Sequence, residues 1–319
     1  MQVLKPAVLT TGPGAGLHIV STNVVESADT PWTAVSATYT LNATVKYLNI
    51  RYVCVLAYTS AINYPNAVGS TFWVSLGPTN VWAPFDTQTS TSATVNEATM
   101  IYRLKPNTPC NGLAVIGITG ALSVNLSVYT NGGALVGSFT QNLDNTPITD
   151  WYTYWTADFQ VASDVYFGAY PQTDGSVGLD LAGLSDAEYL ITITRSTGGT
   201  NVTCAGIVVG KSYQIGDVQY GATSGIIDYS IKSTDTFGTT TLVRRAFAKR
   251  ASYTLMIDNT QLRLVHSLLS SLRATPCLWC GVSDVTYTPL TVWGFYKDFS
   301  INVAYPTKST YSLEIEGMT

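Results

Sequence analysis

Cys277-Leu-Trp-Cys280 is the spacing in this chain of 319 residues that best suits a metal. Thiolates so spaced ligate zinc, but a tetrahedral site takes four ligands, and neither a second pair nor a neighbouring histidine follows. In a strand, residues three apart point to opposite faces. The pair therefore reads as two small buried thiols beside Trp279 rather than a zinc site or a redox dithiol. The five cysteines, Cys54, Cys110, Cys204, Cys277 and Cys280, are odd in number and irregularly spaced. That pattern describes no disulfide framework and fits folding in a reducing cytoplasm.

Acid–base chemistry finds no better footing. The histidines are His18, beside a Gly-rich stretch, and His266, at the edge of an apolar helical stripe. A Ser-His-Asp triad needs a base held by an acid against a nucleophile on a sharp turn, and no Gly-x-Ser-x-Gly elbow occurs. Asp144, Asp150, Asp158, Asp164, Asp174, Asp180 and Asp186 are scattered through the middle of the chain. A glycosidase would need two of them across a cleft, and the Asp-x-Asp-x-Asp-Gly loop of a calcium site is absent. They read as turn formers. Thr11-Gly-Pro-Gly-Ala-Gly16 lacks the Lys-Ser/Thr of a phosphate cradle. No catalytic residue, metal or cofactor is expected.

Binding is the alternative to chemistry. Charged residues make up 11% of the chain, against about 25% in ordinary soluble proteins. A surface solvated by hydroxyls and amides is easily buried against a neighbour, because little charge must be desolvated. Residues 1–200 hold 6 Lys/Arg and 12 Asp/Glu, and residues 201–319 hold 10 and 8. Neither half has the cationic density that nucleic acid requires. Arg244, Arg245, Lys249 and Arg250 form the one basic cluster, a candidate docking site for an acidic partner or a solvated strand face. Trp32, Trp73, Trp151 and Trp155 are candidate platforms for stacking on the apolar face of a sugar; the alternative is that they form the core of their units. The opening residues Met1-Gln-Val-Leu-Lys-Pro lack a signal-peptide pattern. No run of about 18 apolar residues marks a membrane helix, so no membrane insertion is expected.

These residues must be positioned by strands. The chain reads as an all-β, multi-domain protein. Residues 1–25 are expected as an extended arm and 26–78 as a small aromatic-rich β module. Residues 79–203 are expected as a β-sandwich or jelly-roll-like domain, and 204–319 as a C-terminal β domain with one packed helix. In the small module, Tyr52–Tyr58 suits a strand between turns at Asn42 and Asn63 to Gly69. Its order of Trp, Tyr and Tyr-x-Cys is loosely similar to the small β modules of chitin-binding domains. In the middle domain, Leu122, Val124, Leu126 and Val128 alternate with polar residues and run into the Asn131-Gly132 hairpin turn. Further strands are expected at Trp151–Trp155, Val165–Tyr170 and Tyr189–Thr194.

In the last third, Gly206–Gly210 is a buried strand and Phe237–Ile257 one or two long ones. A helix is expected over 259–273, capped by Asp258 with Gln261 three residues on. Leu262, Val265, Leu268, Leu269 and Leu272 fall on one face of it. A closing hairpin follows, with Phe299, Ile301, Val303 and Tyr305 sharing one face and Tyr311, Leu313 and Ile315 repeating the pattern beyond a turn at Tyr305–Lys308.

The 205–319 region resembles the C-terminal domain of tail-associated structural proteins of tailed bacteriophages. The residues that carry the likeness are Gly225-Ile-Ile-Asp-Tyr-Ser and Thr234-Asp-Thr-Phe-Gly-Thr-Thr-Thr-Leu-Val-Arg-Arg-Ala-Phe-Ala-Lys-Arg. Leu272-Arg-Ala-Thr-Pro-Cys-Leu-Trp, Gly294–Thr307 and Leu313-Glu-Ile-Glu-Gly317 continue it. Trp82-Ala-Pro-Phe-Asp86 adds an upstream element, and residues 1–75 match less well. The resemblance implies a virion component on the tail, at its tip, baseplate or fibre attachment, made and assembled in the host cytoplasm. It brings no catalytic residue. The expected partners are other copies of the chain and other tail proteins, with a host cell-surface glycan as a further candidate. The competing readings are a glycan-binding attachment module and a polysaccharide-degrading tail enzyme.

Overall fold

The computed structural model describes residues 1–7, 17–34, 38–59, 62–86, 88, 93–106, 108–143, 164–167, 187–196, 201–282, 290–303 and 305–318. The fold is all-β with several sheets, and one α-helix is found among the described residues.

The largest sheet has ten strands. Its order is Val165–Phe167, Gly112–Ile116, Gly206–Gln214, Gln2–Pro6, Cys277–Cys280, Thr291–Asn302, Lys308–Gly317 and Phe247–Asp258. Asp217–Val218 and Thr223–Asp228 both pair with the far side of Phe247–Asp258. All neighbours are antiparallel. The period of two sorts side chains between the faces. Val3 lies opposite Tyr213 and Trp279, whereas Leu4 lies opposite Ser212 and Leu278.

On the first face, one end of the sheet packs against a five-stranded sheet. That sheet runs Leu135–Asn142, Ala121–Tyr129, Glu188–Arg195, Met100–Lys105, His18–Thr22. Leu113, Val115, Ile207 and Val209 meet Tyr102, Leu126, Tyr189 and Ile191 in one apolar core. This is the packing of a sandwich, in which alternate residues of two facing sheets interdigitate. The other end of the same face is covered by the helix, Leu262–Ser271. Val265, Leu269 and Leu272 are buried against Tyr253, Trp279 and Leu313, with Leu262 and Leu268 at the margin. Each fully buried side chain of that kind contributes about 1.5–3 kcal/mol. On the opposite face, Leu4, Ala114, Ile116, Val208 and Leu278 form a smaller cluster.

Several expectations are corrected. Residues 1–25 do not stand off as an arm. Gln2–Pro6 is a central strand with Val3 and Leu4 fully buried, and His18–Thr22 pairs with Met100–Lys105. The apolar run Val3-Leu4 serves both faces, so it shows no alternation. The large sheet thus draws strands from the stretches assigned to the arm, the middle domain and the C-terminal domain.

The helix is shorter than 259–273, and the capping box does not form. Gln261 occupies the cap position with no side-chain cap bond, and its N–H donates to the Asp258 carbonyl. Asp258 is the last residue of its strand. The Asn259 amide is spent instead on the carbonyls of Tyr305 and Pro306, at 3.0 and 2.9 Å. Leu122 is exposed, because a bulge between Ala121 and Ser123 buries Ala121 in its place; Val124, Leu126 and Val128 point inward as expected. Val303 and Tyr305 are likewise exposed, since their strand ends at Asn302. The Trp151–Trp155 strand lies outside the described residues.

The aromatic stretch builds its own four-stranded sheet, Thr30–Pro31, Thr44–Tyr47, Ile50–Cys54, Trp73–Pro78. Its core of Tyr39, Val45, Tyr52, Cys54 and Trp73 is separate from the others. The turn expected at Asn42 is present, with φ +66°.

Candidate functional site

Among the described residues, a hairpin that leaves the large sheet is exposed along its whole length. Thr223–Asp228 pairs with the start of Phe247–Asp258, and the chain then runs on as Ile231–Thr234 paired with Thr240–Val243. This outer hairpin forms a two-stranded sheet of its own. Every residue from 231 to 247 is exposed. Ile231 and Val243 are register partners on one face, and Leu242 points to the other beside Lys232. None of these apolar side chains belongs to a core cluster.

The tip of this arm is ordered by one side chain. The Asp235 carboxylate accepts the N–H groups of Phe237 and Thr239, at 2.9 and 2.8 Å. The Asp235 N–H donates to the Thr239 carbonyl at 3.0 Å, and the Gly238 N–H to the Asp235 carbonyl at 3.1 Å. Gly238 has φ +83°, which a side chain would strain. Aspartate suits this place because its short carboxylate closes the turn onto the following backbone. The result presents the Phe237 ring to solvent at 93% exposure.

The basic cluster read from the sequence divides at the root of the arm. Arg244 and Arg245 are exposed and make no ion pair among the described residues. The Arg245 N–H donates to Ser230 Oγ, fixing the crossing of the two strands. Lys249 is committed elsewhere, with its Nζ 3.0 Å from Asp164 Oδ2. Arg250 is exposed and sits opposite Glu316 in the register, with no ion pair among the described residues. Of the four docking candidates, Lys249 is the one already held in an ion pair.

The stacking candidates divide similarly. Trp73 is 3% exposed, and its indole N–H donates to the Asn63 carbonyl at 3.0 Å. It is a core residue of its module and offers no free ring face, which corrects its reading as a platform. Trp32 is half-buried, with Tyr47 and Tyr64 each 5.0 Å away between ring centroids. Tyr64 is exposed. These three rings form a small aromatic surface that the sequence reading credited to Trp32 alone. Trp151 and Trp155 lie outside the described residues.

The remaining candidates for chemistry carry little. Cys277 and Cys280 are free and buried, on opposite faces of the large sheet as expected. Burial pushes both thiols up to about 12. Among the described residues, no cluster of His, Cys, Asp or Glu could hold a metal. His266 lies at the edge of the helix stripe, its ring against Phe299. Of the middle aspartates only Asp164 is described; it bonds the Gly117 N–H and Lys249. No helix among the described residues is long and apolar enough to cross a membrane.

The sequence reading missed the arm as a site, treating Phe237–Ile257 as strand. The turn signal was present, as Asp235 and Gly238 bracket Phe237. Compared with known proteins, the chain matches no family model and no curated protein.

Proposed function

We propose that this chain is a non-enzymatic structural component of a bacteriophage tail, at the tip, baseplate or fibre-attachment region, and that it assembles as a homo-oligomer. The observation that carries the reading is the arm, in which the hairpin from Ile231 to Val243 leaves the large sheet and every residue is exposed. An isolated two-stranded hairpin is marginal in water, and exposed apolar side chains on such an element are the mark of an association surface. The likeness of residues 205–319 to tail-associated proteins supplies the kind of particle, and it includes the arm itself. The scarcity of charge, 11% of residues, supports a permanently buried surface. The partners are other copies of the chain and other tail proteins, and the location is the virion. Purified particles labelled with antibody to this chain and imaged in negative stain test the proposal. Label on the tail is expected. A chain absent from intact particles, or one that turns over a polysaccharide, would overturn it.

A second reading, a glycan-binding attachment module, is favoured by the Trp32, Tyr47 and Tyr64 surface. Rings that expose a face stack on the apolar side of a sugar. A glycan array with the wild type and with Trp32→Ala and Tyr64→Ala tests it. Binding lost in both variants supports the reading. No binding, or binding that both variants retain, refutes it.

A further inference from the structure

We infer that the arm docks onto the body of a second copy of this chain, as a one-way contact repeated from subunit to subunit. The inference deepens the proposed assembly and rests on that reading. Its starting point is charge. Residues 219–250, which make up the arm and its root, hold five Lys/Arg and two Asp/Glu, a net of +3. The whole chain holds 16 and 20, so the remainder holds 11 and 18, a net of −7. The segregation is sharper still in the middle of the sequence, where residues 106–194 hold eight Asp/Glu and neither Lys nor Arg. The chain is therefore complementary to itself, arm to body.

This complementarity decides between geometries. Two arms placed together would set like charges side by side, which opposes association. An arm placed on another subunit's body pairs opposite signs. Such a contact is heterologous, and repetition closes it into a ring when the rotation allows. The pairing chemistry is already present within one chain, where Lys249 at the root meets Asp164 of the acidic stretch. Arg244 and Arg245, five and four residues further out, have no such partner among the described residues.

The apolar tip adds affinity to this steering. Phe237 is held outward by the Asp235 turn before any partner arrives. A preformed turn reduces the ordering cost of binding, and a large aromatic ring is the commonest anchor of an interface. Ile231, Val243 and Leu242 extend the apolar contact along both faces of the hairpin.

Sedimentation velocity on the full-length chain tests the inference, up to about 100 μM, where even weak self-association registers. The wild type is expected to associate. Arg244→Glu/Arg245→Glu and Phe237→Ser should each weaken association by about tenfold or more. Their melting temperatures, read at a dilution at which the wild type is monomeric, should match the wild type, because the substituted side chains are exposed and association adds no stability there. A lower melting temperature at that dilution would trace the loss to the fold and overturn the inference for that variant. The two variants test the charge and the ring separately. A chain that stays monomeric at the highest concentration overturns the choice of a second copy as partner. Oligomers that both variants leave unchanged overturn the role of the arm, while tail labelling of particles would still uphold the structural reading.

Discussion

Asp164 joins the root of the arm to the sandwich. Its Oδ1 accepts the Gly117 N–H at 2.9 Å, and its Oδ2 lies 3.0 Å from Lys249 Nζ. Gly117 follows the strand Gly112–Ile116, and Lys249 lies two residues into the strand that continues from the arm. One carboxylate thus ties together two segments far apart in sequence. The ion pair is partly solvated, with Lys249 43% exposed, and exposed pairs contribute about 0.2–1 kcal/mol. The backbone bond is worth about 1 kcal/mol.

Those two contributions separate by substitution. Asp164→Asn keeps an oxygen for the Gly117 N–H and gives up the charge, so its loss should match that of Lys249→Met, within about 1 kcal/mol. Asp164→Ala loses both contacts and should cost about 1–2 kcal/mol. Urea unfolding of the three variants checks the order. Equal losses for Asp164→Asn and Asp164→Ala would mean that the backbone bond contributes nothing.

The aromatic module carries its own acid sensitivity. The Arg51 guanidinium donates to the Asp29 carboxylate from Nε at 2.5 Å and holds that carboxyl below the usual carboxylate range. A depressed folded value means stability that is present above the unfolded value, about 3.9, and lost as pH falls through the folded one. Asp29→Asn should therefore lower the melting temperature at pH 7. The gap from the wild type should close as the pH drops below about 4. Because Arg51 is 38% exposed, solvent screening limits the effect at neutral pH to about 1 kcal/mol. A gap that is constant from pH 7 to pH 3 would assign the loss to packing instead.

The buried thiols set the alkaline side. Burial pushes Cys204, Cys277 and Cys280 up to about 12. The thiolate is the reactive form, so native protein at pH 8 should resist alkylation at all three, whereas unfolded protein reacts within minutes. A raised folded value stabilises the fold below the unfolded value, about 8.5, and that contribution is lost as pH rises toward the folded one. Cys280→Ala should flatten the fall in stability above about pH 8.5 by up to one proton's worth. Mass spectrometry after a short alkylation pulse reads the first outcome. Labelling of Cys277 or Cys280 in the folded chain would contradict the burial.

The sequence exposes what is periodic and hides what is collective. Val124, Leu126 and Val128, and likewise Tyr311, Leu313 and Ile315, announce a buried strand face because polar residues alternate with them. The helix stripe from Leu262 to Leu272 is legible for the same reason at a different period. Val3-Leu4 is not, because a strand in the middle of a sheet covered on both faces shows no alternation. The bulge that exposes Leu122 depends on its partner Arg195 and leaves no local trace. The candidate site follows the same rule. Trp32 and Arg244 to Arg250 are visible as residue types, but only packing tells a buried Trp73 from a half-exposed Trp32. The arm was hidden most deeply, since Thr240–Val243 has the residues of any strand. What marks it is the lack of a second layer, which is a property of the rest of the fold.

The closing hairpin gives the cleanest test of that distinction. Leu313 and Ile301 look alike in the alternation, and both face the helix side of the sheet. Leu313 is fully buried between Tyr253 and Phe299 in the register, whereas Ile301 is half-buried near the strand end. Leu313→Ala removes a buried side chain and leaves a cavity, at a cost of about 2–5 kcal/mol. Ile301→Ala gives up only part of that burial, about 1 kcal/mol. Even Ile301→Asp, which the pattern alone marks as unfolding, leaves the carboxylate a route to water, so the chain should still fold. Denaturant melts of the three variants measure the losses, and an unchanged slope with denaturant would confirm that the unfolding transition itself is the same. Were Ile301→Asp to unfold the chain and Leu313→Ala to leave it intact, the helix would have to cover the strand end rather than its centre.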